Sequence, residues 1–110
     1  IRVNCFFQAN EEQYAVALET ALALVAASRT HAGCVSYDVF ESGTRPDVFM
    51  FCETWTSAEA LAAHAATDDF KHFVVAVDGI LRINGSQLVA ILVLEVVFFE
   101  RSDFLHQRMA

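Results

Sequence analysis

The chain switches between two hydrophobic periods, and the switches mark its elements. Ile1 to Phe7 is rich in β-branched and aromatic residues and predicts a first strand. Asn10 then offers a helix N-cap, with Glu11 and Glu12 in the first turn and Gln13 at the reciprocal position of a capping box. Tyr14, Leu18, Ala21, Leu22 and Val25 recur at helical spacing and predict the buried stripe of a first helix. That helix should stop near His31-Ala32-Gly33, because Gly33 suits a left-handed C-terminal cap. Cys34 to Glu41 reads as a second strand and Val48 to Trp55 as a third, joined by the turn cluster Ser42 to Asp47. Thr56 and Glu59 form another capping box and predict a short helix to about Ala66. Thr67 caps the next helix, which carries Asp68 and Asp69 as helix-start charges. Phe70, Phe73, Val74, Val77 and Leu81 form its stripe. Asn84-Gly85 reads as a turn and Leu88 to Phe99 as a long last strand.

The order β-α-β-β-α-(α)-β predicts an α+β, ferredoxin-like antiparallel sheet. It fills one domain over residues 1–100, with 101–110 as a surface tail. Strands one, three and four are apolar at both odd and even positions, so both sheet faces need cover. The helices can cover only one. The other calls for a second sheet, most simply from a second copy of the chain, through the sheet face and the last strand.

Composition sharpens this picture. Of 110 residues, 55% are hydrophobic and 19% charged, which is too apolar for a small monomer to hide alone. The net charge is −7 and Lys71 is the one lysine, so no basic cluster exists for nucleic acid or an anionic membrane. Cys5, Cys34 and Cys52 sit in apolar segments at spacings that match no zinc pattern. They read as buried thiols of a reducing, cytoplasmic compartment. The longest apolar run contains Glu95 and falls short of a membrane span.

The chemistry-bearing residues gather between Asn4 and Phe73. His64 borders the buried stripe of its helix, where a neutral imidazole could accept a proton. Glu53 shares a strand face with Phe49, Phe51 and Trp55, and a carboxylate among aromatics should have a raised pKa. It could act as a base or orient His64. Trp55 and Phe51 could stack a flat substrate or simply pack the core. Asn4 breaks the apolar run of strand one and could anchor a substrate carbonyl, Tyr37 could donate a phenol hydrogen bond, and Phe73 faces the same space. His72 should face solvent, and His31 and His106 read as surface residues. No Gly-rich phosphate loop or metal-spaced cluster is present, so no cofactor is expected.

Several of these residues resemble the antibiotic biosynthesis monooxygenase superfamily of dimeric α+β barrels. The likeness rests on Gly33-Cys34-x-x-Tyr37-Asp38, on Glu53-Thr54-Trp55, on Ser57-x-Glu59-Ala60-Leu61-x-x-His64 and on Phe70-Lys71-x-Phe73. It implies a cofactor-independent monooxygenase whose electron-rich substrate (a small aromatic, quinol or polyketide-like compound) passes an electron to dioxygen after deprotonation. An isomerase of a small carbonyl compound and a non-catalytic ligand-binding dimer are the alternatives. Asp68-Asp69 stands where many similar members have Pro-His, which removes a second pocket imidazole. Val74 stands where the heme-degrading branch has its iron-ligating His, so heme chemistry is not expected, although Asn4 and Trp55 resemble that branch's other pocket residues.

Overall fold

The computed structural model describes residues 1–83, with side chains through 77, and the backbone of Val93–Val97. In chain order the elements are β1 (Arg2–Gln8), a 3-10 turn (Glu11–Gln13), α1 (Tyr14–Ser28), β2 (Cys34–Glu41), β3 (Val48–Trp55), α2 (Ala58–Ala65), α3 (Asp68–Ile83) and β4 (Val93–Val97). The sheet runs β2-β3-β1-β4 and every neighbouring pair is antiparallel. This is the ferredoxin-like order that the sequence predicts. The Asn84-Gly85 turn, the flanks of the last strand, the 101–110 tail and His106 lie outside the described residues.

Strand alternation builds the core. Val3, Cys5 and Phe7 of β1 face the helices, paired across with Glu53, Phe51 and Phe49 of β3. Phe7 stacks on Phe49 at 5.0 Å and on Phe51 at 5.5 Å, and Phe73 of α3 meets Phe51 edge-on at 5.2 Å. Such pairs add about 0.5–1.5 kcal/mol each beyond burial. Helix α1 lays Ala17, Ala21, Leu24, Val25 and Ser28 on the sheet. This differs from the predicted stripe: Leu22 is 51% exposed. Ala21 and Val25 are buried and Tyr14 and Leu18 pack against the core as predicted, so the buried face is turned toward Ala17, Leu24 and Ser28 and leaves Leu22 outside.

The caps differ in one place. Asn10 Oδ1 accepts from the Gln13 N–H at 3.1 Å, and Thr67 Oγ1 from Phe70 N–H at 3.2 Å, as predicted. The cap of α2 is Ser57, whose Oγ accepts from the Ala60 N–H at 3.1 Å, rather than Thr56. Thr56 donates its own N–H to the Gly33 carbonyl at 2.9 Å. Gly33 has φ 82°, and a Cβ there would lie 2.4 Å from Ala60 Cβ and 2.8 Å from Thr56 Oγ1. A residue without a side chain is therefore required both by the backbone angle and by the neighbouring helix. This close approach presses the turn after α1 against α2.

On the far face of the sheet, Phe6, Met50 and Cys52 are partly covered, and Phe40 is 53% exposed. Cys5 is buried, but Cys34 and Cys52 are only half covered, so the expectation of three buried thiols holds for one.

Candidate active site

Period two puts Glu53 on the same face of β3 as Phe49, Phe51 and Trp55, so the strand carries a carboxyl into the core, 4% exposed. The Trp55 indole N–H donates to Glu53 Oε1 at 2.9 Å. Burial pushes the Glu53 pKa up, while the Trp55 N–H and then the Tyr37 hydroxyl favour the charged form. Tyr37 is itself pushed up, by burial first and then by Glu53.

Helix α2 is short and alanine-rich, and His64 is its one buried residue. The imidazole sits 4.6 Å from the Trp55 ring, 5.4 Å from Tyr37 and 5.3 Å from Phe70. Its Nε2 lies 4.0 Å from Glu53 Oε1, beyond hydrogen-bond reach, and has no hydrogen-bond partner among the described residues. Burial drives the His64 pKa down to about 4; the nearby His31 adds to the fall and Asp69 opposes it. At neutral pH the ring is therefore a neutral imidazole.

His31 corrects the surface reading. Its side chain is 13% exposed, its Nδ1 lies 2.9 Å from His64 Nδ1, and its Nε2 lies 3.0 Å from Asp69 Oδ2. A second imidazole thus reaches His64 from the turn after α1, and Asp69 is more than a helix-start charge. The close approach at Gly33 holds the turn that carries His31 against α2.

His64, Glu53, Tyr37, Phe51 and Phe73 converge on a cavity of about 170 Å³, closed further by Val3, Cys5, Leu24, Leu61 and Phe70. Exposed Ala65 and Val74 also line it, which places its mouth between α2 and α3. Two candidate residues stand elsewhere. Trp55 packs behind His64, its N–H turned back to Glu53 rather than toward the cavity. Asn4 lies on the far sheet face opposite Cys52, because alternation in β1 sends Val3 and Cys5 inward. Cys5 is a wall residue that sequence reasoning did not single out; burial and Glu53 push its thiol up to about 12. His72 is exposed and lines an open groove between α1 and α3. Among the described residues, no three His, Cys, Asp or Glu side chains converge as a metal site, and no helix is long and apolar enough to cross a membrane.

A ferredoxin-like sheet backed by helices over an enclosed, small-molecule-sized cavity defines the class. The chain belongs to the antibiotic biosynthesis monooxygenase family, whose profile matches residues 1–76. A protein of unknown function from Bacteroides thetaiotaomicron, described as a possible oxidoreductase, is 42% identical over 86% of this chain and 90% of its own, with a TM-score of 0.72. The Mycobacterium tuberculosis protein Rv0793 shares the fold at 19% identity and a TM-score of 0.73, covering 91% of this chain and 96% of its own. An uncharacterized Synechocystis protein is 40% identical over 47 residues, which are 43% of this chain and 32% of that relative's length.

Proposed function

We propose that the chain is a cofactor-independent monooxygenase acting on a small, uncharged phenol or hydroquinone. The observation that carries the reading is the buried His64 imidazole: burial lowers its pKa, its Nε2 has no hydrogen-bond partner among the described residues, and the residue lines an apolar cavity. A group so placed can accept a substrate hydroxyl proton. The phenolate it releases is electron-rich and sits where dioxygen partitions well. For a hydroquinone the balance is substrate plus dioxygen giving hydroxyquinone plus water, a four-electron oxidation at the ring. Membership of the family and the relative described as a possible oxidoreductase support the same reading.

Cavity size narrows the substrate. An apolar cavity of about 150 Å³ takes one benzene ring, and drug-sized sites begin near 300 Å³. A cavity of about 170 Å³ therefore suits a single ring rather than a fused polycycle. Oxygen uptake with a panel of one-ring and three-ring hydroquinones is the test. The expected result is uptake with the one-ring compounds. Conversion of a small carbonyl compound without oxygen uptake would instead favour an isomerase, which the Glu53–His64 separation of 4.0 Å also suits.

The far sheet face supports a second copy of the chain as partner. Phe6, Phe40, Met50 and Cys52 lie there, with Phe40 53% exposed, and Asn4 Oδ1 is buried without a partner among the described residues. Sedimentation equilibrium at micromolar concentration should give twice the chain mass, and Phe40→Lys should lower it. A wild-type monomer at that concentration would refute the dimer.

A further inference from the structure

The His64 imidazole does not end at the cavity. Its second nitrogen opens a chain of contacts to the surface: His64 Nδ1 to His31 Nδ1 at 2.9 Å, then His31 Nε2 to Asp69 Oδ2 at 3.0 Å. Exposure rises along it, with side chains 1%, 13% and 52% exposed for His64, His31 and Asp69. Asp69 ends in the open groove between α1 and α3, where Glu19 and His72 are the other titratable side chains. Leu24 and Phe73 line both groove and cavity and form the wall between them. The histidine chain is a polar path around that wall.

For two neutral rings, proton counting gives one arrangement. A carboxylate only accepts, so His31 Nε2 carries a hydrogen toward Asp69. A neutral His31 then has a bare Nδ1, and the proton shared between the two rings belongs to His64 Nδ1. A neutral His64 with that proton has a bare Nε2, the nitrogen 4.0 Å from Glu53 Oε1. The competing arrangement needs a doubly protonated His31, and it puts a hydrogen on His64 Nε2, which then cannot accept one from a substrate.

We propose that Asp69 and His31 are positioning residues that hold His64, which lines the cavity, in the tautomer whose Nε2 is bare, and that the same chain carries a proton between the site and the surface. This rests on the reading of His64 as the proton acceptor. When Nε2 takes a substrate hydroxyl proton, the Nδ1 proton of His64 passes to His31 Nδ1. The Nε2 proton of His31 passes to Asp69 Oδ2, and Asp69 releases it to water. Three N–H or O–H bonds form as three break inside the chain, and one proton leaves the cavity. The reverse passage returns it when dioxygen is reduced to water. Besides His31, the groups facing His64 are Glu53 at 4.0 Å and Tyr37, with its ring 5.4 Å away.

Nitrogen NMR of the ¹⁵N-histidine-labelled chain near neutral pH tests the tautomer without any substrate. The expected pattern is N–H at Nδ1 and a bare Nε2 on His64, with the reverse on His31. Asp69→Asn, a surface isostere, and His31→Gln should each mix the His64 tautomers. A wild-type His64 protonated on Nε2, or a pattern unmoved by both variants, overturns the positioning role; a kcat unchanged in Asp69→Asn overturns the proton path. With a turned-over substrate, Asp69→Asn should lower kcat by about 10–100-fold with little change in KM, the range for losing a partner that orients a histidine. The acid limb of its pH–rate profile should move to lower pH, because the Asp69 charge favours protonated His64. The expected tautomers without any phenol turnover would retire the monooxygenase reading and leave the positioning chain standing. Turnover with His64 protonated on Nε2 would do the opposite.

Discussion

Replacing His64 by alanine should lower turnover of a phenolic substrate by about 10²–10⁴-fold, the usual contribution of a general acid–base group. His72→Ala should leave it within about twofold, since His72 is exposed in a different groove. Equal loss in both variants would sink the assignment of His64. The same side chain should govern acid stability. Its folded pKa of about 4 lies below the ordinary 6.5, so between those values the unfolded chain binds a proton that the folded chain refuses. Stability is therefore full above the upper value and falls as pH drops toward the lower one, by on the order of 3 kcal/mol. Glu53 acts with the opposite sign. Its raised pKa makes the folded chain hold a proton longer, and stability falls as pH rises through the carboxylate range toward that folded value. Urea midpoints between pH 4 and 7 should show the His64 slope in the wild type and its loss in His64→Gln. An unchanged slope in that variant would place the acid sensitivity elsewhere.

Gly33→Ala should destabilise the fold by about 3 kcal/mol or more, because two separate costs coincide. One is the backbone at φ 82°; the other is a Cβ placed 2.4 Å from Ala60 Cβ. The clash is with a helix whose next turn carries His64, so relief by moving α2 should also break the contact to His31. A drop in the denaturation midpoint with an unchanged slope would report the loss as stability. A change under about 0.5 kcal/mol would show that the corner yields freely.

Most of the fold was legible because β-branched and aromatic runs give way to period-3.6 stripes through residue 83. Capping residues punctuate them: Asn10 and Thr67 cap as their types suggest, and Ser57 takes the place expected of Thr56. In α1 only the edge of the stripe was not legible: Leu22 and Leu24 are equally apolar, and packing on the sheet buries Leu24. At the site, Glu53 and His64 could be found because each is a titratable residue at an apolar position. His31 could not. It follows a helix end among polar neighbours, and its burial comes from a contact between elements far apart in sequence. For Trp55 the sequence leaves ligand stacking and core packing both open, because alternation fixes a face but not which neighbour an indole N–H will choose. Asn4 stands out as an exception to an apolar run, but strand parity places it on the face away from the cavity.

One feature of the site makes it observable without labels. Trp55 is the single tryptophan of the chain, 1% exposed, with its ring 4.6 Å from the His64 imidazole and its N–H held by Glu53. All indole emission therefore originates at the wall behind the cavity. Dry surroundings shift it to short wavelength, and an adjacent imidazolium quenches it more strongly than an imidazole. The chain carries an optical gauge whose brightness follows the charge of its candidate base, so stopped-flow fluorescence can time each protonation event on the unmodified protein.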